Sequence, residues 1–199
     1  MEINSPKKLL WFFKRGSQLF LYKLRTQGLH ITLLWLYGRG IPILTGIPIM
    51  KYSQITPETY VGPQYRQAGK ERLERLGING SLNLRIEFDD QIHGLALKEH
   101  CYLPVINDHA PTIEQLEQGV AFAQQVIANG GKVYIHCQGG LGRAPTMAVA
   151  YFITQGLTIN EAVKLIKQTR PFIEIKPSQM AQLELFEEVH GAARDVNYP

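Results

Sequence analysis

The spacing of apolar positions changes period several times along the chain, and each change marks an element. Lys132 to Ile135 is a short β-rich run after Gly130-Gly131, and an apolar pattern of helical period follows from Arg143 to Gln155. Thr59 to Gly62, Gly80 to Arg85 and His100 to Val105 read as further strands, the second apolar enough to be buried on both faces. Gln64 to Leu76 reads as a helix stopped by Gly77. A second helix opens at Pro111-Thr112-Ile113-Glu114 and ends at Gly130-Gly131. After the helical run from Arg143 to Gln155, a fourth opens on the capping box Thr158-Ile159-Asn160-Glu161 and runs to Thr169, and a last one spans Pro177 to His190. Strands that alternate with helices predict an α/β fold, with a central, mainly parallel sheet flanked by helices in three layers. No internal repeat or low-complexity segment interrupts the pattern.

The first quarter of the chain follows a different pattern. Lys7 to Leu24 interleaves Leu9, Leu10, Trp11, Phe12, Phe13, Leu19, Phe20 and Leu21 with Lys7, Lys8, Lys14, Arg15 and Lys23. A helix of this kind can lie on an anionic membrane surface, with its aromatics at the interface. Leu29 to Tyr37 is a second apolar run, and Pro42 and Pro48 break up Ile41 to Met50. No stretch reaches about 18 uninterrupted apolar residues, so no transmembrane helix is predicted. Lys14 and Arg15 interrupt the first apolar run too early for a signal peptide. Three roles stay open for this helical extension: packing on the body of the protein, contact with a membrane surface through residues 7–37, and docking of a protein.

Composition sharpens the division. The 199 residues suit one domain plus an extension, and 45% apolar content is enough for one core. The expected boundaries are a basic amphipathic extension at 1–51, a catalytic domain at 52–190 and a tail at 191–199. Residues 1–51 carry a net charge of +7 and the rest −3, so the formal +4 belongs to the extension. No basic stripe continues into the domain, which disfavours nucleic acid as a partner. Two cysteines give no disulfide framework and point to a reducing compartment, hence a cytoplasmic protein, free or held at a membrane surface. His100-Cys101 and His136-Cys137 hint at zinc, but neighbours on a strand point to opposite faces, so neither a metal nor a cofactor is expected.

The chemistry concentrates between the run at 132–135 and the helix at 143. Cys137 leaves the strand, Arg143 starts the helix, and Gln138, Gly139, Gly140, Leu141 and Gly142 lie between them. A loop between a strand end and a helix start is a natural anion site, because its amides and the helix dipole favour negative charge. The same surroundings lower a thiol's pKa and make Cys137 a candidate nucleophile. Gly139, Gly140 and Gly142 are expected to let the backbone curl through positive φ toward an oxyanion. Arg143 offers a planar fork for two phosphoryl oxygens. His136 is expected to hydrogen-bond within the loop and orient it.

The string His136-Cys137-Gln138-Gly139-Gly140-Leu141-Gly142-Arg143 resembles the signature loop of cysteine-dependent protein tyrosine phosphatases, and the dual-specificity subgroup most closely. The resemblance spans about residues 55–190. Tyr60-Val61-Gly62-Pro63-Gln64 is similar to the family's opening strand. Leu76-Gly77-Ile78 with Leu82-Asn83-Leu84 is similar to its helix-to-strand step, and Phe172-Ile173 with Pro177-Ser178-Gln179 to its closing segment. Pro111 to Phe186 also resembles mitochondrial phosphatidylglycerophosphate phosphatases and archaeal tyrosine phosphatases. The resemblance implies the protein tyrosine phosphatase fold and a phosphomonoester hydrolase that works through a phosphocysteine. The low-molecular-weight phosphatases and arsenate reductases have the opposite order of cysteine and acid.

Expelling an alkoxide or phenolate needs a proton donor on a second loop. Asn107-Asp108-His109 supplies one, 29 positions before Cys137, about where dual-specificity phosphatases carry theirs. Asp108 is the candidate acid. An amide at Asn107 cannot donate a catalytic proton, and His109 reads as a residue lining the cleft. Arg85, Glu87, Asp89 and Asp90 form an acidic loop that borders the same cleft or simply faces solvent. The resemblance also exposes a departure. Ala144 stands where most relatives carry a Ser or Thr that stabilises the departing thiolate, although plant glucan phosphatases also have Arg-Ala-Pro here, and Thr146 is a helix residue whose hydroxyl is the alternative source. Cys101 reads as a core residue, or as a redox partner of Cys137.

The loop contains no lysine, which disfavours highly charged inositol phosphates. Phosphotyrosine in proteins, with phosphoserine and phosphothreonine beside it, is the first substrate reading. A phospholipid such as phosphatidylglycerophosphate at a membrane surface is the second. Ala144 also leaves open a pseudophosphatase that captures phosphorylated partners without turnover.

Overall fold

The computed structural model describes residues 17, 20–22, 24–33 and 51–191. The chain divides into two compact units, Met1–Ile49 and Met50–Pro199. In the first, residues 24–33 are helical (α1), and the Thr26 and Thr32 hydroxyls donate to the carbonyls of Tyr22 and Gly28. Most of the apolar, basic run Lys7 to Leu24, the stretch from residue 34 to Met50 and the end of the tail lie outside the described residues. Among the described residues no helix is long and apolar enough to cross a membrane.

The second unit is a five-stranded sheet flanked by helices. In chain order it contains β1 (Ser53–Gln54), β2 (Thr59–Pro63), α2 (Gln67–Arg75), β3 (Ile78–Arg85), β4 (Glu99–Val105), α3 (Ile113–Ala128), β5 (Lys132–Cys137), α4 (Arg143–Thr154), α5 (Ile159–Thr169) and α6 (Pro177–His190). The sheet order is β1-β2-β5-β3-β4. Only the edge strand β1 is antiparallel, and β2, β5, β3 and β4 run parallel. β5 is therefore central, with β2 and β3 on its two sides, and buries Val133, Tyr134 and Ile135. A strand covered on both faces needs this unbroken apolar run.

The helices follow their sequence signals. Capping boxes form at Thr112 with Gln115 and at Thr158 with Glu161. Gly77 and Gly130, with φ of +75° and +76°, stop α2 and α3 in the left-handed conformation. Arg143 to Ile153 of α4 are all buried, so this helix runs through the core with α3, α5 and α6 packed around it.

Most element ends move by one or two residues from the sequence reading, β3 for instance starting at Ile78 and not Gly80, and α2 moves further. α2 begins at Gln67, not Gln64, because β2 extends through Pro63 and Gln64 turns inward. The Gln64 backbone N–H donates to Gln138 O at 3.2 Å, and its side chain donates to Asp90 at 2.7 Å. β1 carries too few residues to leave a periodic signal.

The register also separates the two cysteines. Cys101 on β4 pairs with Leu82 on β3, and Leu82 pairs with Ile135 on β5. Two interstrand steps of about 4.8 Å each, plus two further residues along β5, separate Cys101 from Cys137. A disulfide spans Cα atoms less than about 7 Å apart, so Cys101 is not a redox partner of Cys137 within the chain. Burial pushes the Cys101 thiol up to about 11, which leaves it inert.

Candidate active site

β5 ends at Cys137 and α4 starts at Arg143, so the loop 138–142 lies at the carboxyl end of the central strand. This is where open parallel sheets bind ligands. The loop's carbonyls are fully accounted for. Gln138 O accepts from Gln64 N, and Leu141 O accepts from Glu174 N at 2.7 Å. Gly139 O and Gly140 O accept from the Arg170 guanidinium at 2.8 and 2.6 Å. Gly142 O accepts from both the backbone N–H and the hydroxyl of Thr146. Five successive carbonyls thus face protein donors. In a trans peptide the N–H points opposite to the C=O, so the loop's amides face the other side. One of them, Gly140 N, donates to Cys137 Sγ at 3.2 Å. Cys137 is only 3% exposed.

Of the three loop glycines, only Gly140 has positive φ, at +63°. A Cβ there would lie 2.5 Å from the Gly62 carbonyl and 2.8 Å from Arg170 Nη2. Gly142 has φ of −119°, so the expectation of positive φ at all three fails. A single left-handed residue is enough to reverse the chain; a Cβ on Gly142 would press on Gln179 at 3.3 Å, whereas one on Gly139 would meet Leu141 at an ordinary 3.4 Å.

Arg143 is buried and gripped from one edge. Nη1 donates to Val105 O at 2.8 Å and Leu84 O at 3.2 Å. Nη1 and Nη2 together hold both carboxylate oxygens of Glu87 at 2.9 Å. The opposite edge, Nε–H with the second Nη2–H, is the parallel pair suited to two phosphoryl oxygens. Burial opposes ionisation of Glu87, but hydrogen bonds from Arg143, its own backbone amide and Arg85 prevail, and the carboxyl falls to about 2. Besides Glu87, the negative charges acting on Arg143 are Cys137 and Asp108.

Asp108 is exposed on the loop after β4, in the left-handed conformation at φ +64°. It tops a tight turn in which His109 N donates to Ile106 O and His109 Nδ1 lies 3.2 Å from Asn107 O. The structure therefore brings Cys137, Arg143 and Asp108 to one end of the sheet. Gln138 is exposed, while Leu141 is partly covered.

His136 behaves differently from its expected role. Among the described residues it makes no bond to the loop, and its Nε2 lies 2.8 Å from Asp90 Oδ2, both side chains fully buried. Tyr65 and Tyr134 pack against its ring. Burial raises the Asp90 carboxyl, but the hydrogen bond and charge of His136, with Gln64, bring it below the usual value. Asp90 is thus an interior group, and the acidic loop is divided between the core and Arg143.

Arg170 and Gln179 also brace the site, and neither stood out in the sequence as a site residue. At a helix end and a helix start, they look in the sequence like polar residues facing solvent. Only their complete burial marks them, and loss of solvent pushes Arg170 down to about 10.

Relatives share this architecture. Dual specificity protein phosphatase 1-B of Xenopus laevis is 30% identical over 76% of this chain and 38% of its own, and the human dual specificity protein phosphatase 1 is 29% identical over 76% and 39%. The chain therefore spans under two fifths of the length of these curated relatives. Among solved structures, PTPMT1 in complex with PI(5)P superposes with a TM-score of 0.66 at 26% identity, covering 71% of this chain and 97% of that one. Human DUSP28 shares the fold with a TM-score of 0.62 at 22% identity, over 71% and 99%. The residues that shape and brace the loop, from Gln64 to Gln179, all fall within residues 59–189, which match the model described as dual specificity phosphatase, catalytic domain, and the chain belongs to that family.

Proposed function

We propose that the chain is a phosphomonoester hydrolase that forms a phosphocysteine, with protein phosphotyrosine as its substrate. The observation that carries this reading is the loop whose five carbonyls are all taken by protein donors around Cys137, next to an Arg143 whose Nε–H takes no partner among the described residues. The Cys137 thiolate attacks phosphorus, an S–P bond forms and the P–O bond to the leaving group breaks. The inward amides and the Arg143 fork hold the equatorial oxygens as charge shifts. Asp108 gives its proton to the leaving oxygen. Water then attacks the phosphocysteine, passes a proton back to Asp108 and releases phosphate and the thiolate. Gln138 and Leu141 add no positive charge to the loop, which suits a monoester better than a polyphosphorylated ring. Ile86 and Ile106 follow the paired residues Arg85 and Val105 and are each more than half exposed, an apolar wall for an aromatic ring. A phosphate-release screen over phosphotyrosyl peptides, phosphatidylglycerophosphate and phosphoinositides, with Cys137→Ser as control, tests the assignment. Turnover of p-nitrophenyl phosphate that Cys137→Ser abolishes excludes capture without catalysis.

A second reading is a phospholipid phosphatase at a membrane surface. It is favoured by the likeness to PTPMT1 with its bound PI(5)P and by the exposure of Tyr22, Leu29 and Leu33 in a segment of net charge +7. Deleting residues 1–50 then abolishes vesicle binding and lipid turnover but spares p-nitrophenyl phosphate. Equal loss on both substrates identifies the segment as structural.

A further inference from the structure

The acid loop needs a fixed position to deliver a proton, and its hydrogen bonds show what supplies it. Upstream, the Gln115 side chain donates to Pro104 O at 3.0 Å, before the loop begins. Downstream, Gln179 Nε2 donates to His109 O at 2.9 Å. Among the described residues, no other hydrogen bond ties a side chain outside the loop to residues 106–111. Gln179 lies in the first turn of α6 and is fully buried. Its amide is oriented from the other side, because Lys176 N donates to Oε1 at 2.9 Å. That bond fixes which end of the amide faces His109. A Cβ built on Gly142 would sit 3.3 Å from Oε1 and 3.5 Å from Nε2, so the same side chain rests against the end of the active loop. Five residues earlier, Glu174 N donates to Leu141 O. Residues 174–179 are thus stitched to both loops. The turn they anchor is unusual, since Asp108 is the sole non-glycine residue with positive φ among the described residues.

We propose that Gln179 is a positioning residue: its buried amide ties the acid loop to the phosphate loop and keeps Asp108 over the leaving oxygen. The proposal rests on the reading of Asp108 as the general acid. A carboxylic acid can transfer a proton only within hydrogen-bond reach, so a loop shifted by 1 Å loses its effect. Loss of acid catalysis has a specific signature. It slows esters of poor leaving groups and spares esters whose leaving group departs unaided.

The test compares p-nitrophenyl phosphate with phenyl phosphate in the full chain, as wild type, Asp108→Asn, Gln179→Glu and Gln179→Met. Glu keeps the size and the acceptor but removes the donor, and Met removes both, so either variant that folds gives a result. The expected result is a loss in kcat/KM, which reports the step that expels the leaving group, of roughly tenfold for phenyl phosphate and under about twofold for p-nitrophenyl phosphate, in the direction of Asp108→Asn but smaller. The basic limb of the kcat/KM profile weakens along with it. Equal losses on the two esters, or wild-type rates on both, overturn the proposal. If Asp108→Asn itself treats the two esters alike, the acid assignment fails, and the role of Gln179 falls with it. Thermal unfolding of each variant separates a lost fold from a displaced loop.

Discussion

The guanidinium of Arg170 donates Nε to Gly140 O at 2.6 Å and Nη2 to Gly139 O at 2.8 Å, so one buried side chain turns two adjacent peptides of the phosphate loop. Its third nitrogen reaches Lys51 O and Ser53 Oγ. Arg170→Lys keeps the charge and loses the fork. At about 1.5 kcal/mol for each hydrogen bond to a charged group, the loss is about 3 kcal/mol. The expected consequences are a melting temperature lower by roughly 6–12 °C and a kcat/KM lower by on the order of 100-fold. Differential scanning calorimetry and steady-state kinetics on one preparation check both, and an unchanged melting temperature contradicts the bracing role.

Two neighbouring glycines give a matched pair. Gly140→Ala puts a Cβ at φ +63° against the Gly62 carbonyl and Arg170, none of which can yield cheaply. The expected cost is about 2–5 kcal/mol, with activity down by more than about 100-fold. Gly139→Ala meets only Leu141 at 3.4 Å, an ordinary contact, and keeps most stability. Urea unfolding of the two variants checks the contrast, and similar midpoints count against it.

Glu87 sets a window of acid sensitivity. Its carboxyl sits at about 2 in the folded protein against an ordinary value of 4.5. A depressed carboxylate stabilises the fold fully above the unfolded value and progressively less as pH falls toward the folded one. Wild-type stability therefore drops between pH 4.5 and about 2 by more than that of Glu87→Gln, which is less stable at neutral pH. Unfolding midpoints from pH 7 to 2 should converge for the two proteins, and parallel curves rule out this pair as the cause.

Ala144 is buried and brings no hydroxyl to the loop, and Thr146 does not supply one, since its hydroxyl donates to Gly142 O at 2.9 Å. Breakdown of the phosphocysteine is then expected to limit turnover and to leave a burst of p-nitrophenol. Ala144→Ser should shrink the burst and raise kcat by roughly tenfold, the effect of one hydrogen bond of about 1.4 kcal/mol. Stopped-flow absorbance distinguishes this from a variant with unchanged burst and rate.

The parallel sheet, the loop Gln138–Gly142 and the pairing of Cys137 with Arg143 were legible because their residues are contiguous, so strand, turn and helix signals fall within one short window. The place of Asp108 on the loop after β4 was legible from the strand that runs into a polar turn there. The braces were not. Glu87 and Asp90 are three positions apart in one acidic loop, yet one meets Arg143 and the other enters the core beside His136. Charge alone does not distinguish those fates, since the register of β3 against β4 and β5 decides them. Arg170 and Gln179 reach the loop through the packing of α5 and α6, a long-range relation that leaves no local pattern.

That long-range bracing bears on how the protein is made. Translation completes the whole string from Cys137 to Arg143 before Arg170, 27 residues later, leaves the ribosome. A nascent chain halted inside α5 already has its thiol and its arginine, but Gly139 and Gly140 have no buried cation to turn their peptides. The two turned peptides thus depend on a residue made after the motif is complete, so a fragment that bears the whole motif but stops short of Arg170 lacks their brace.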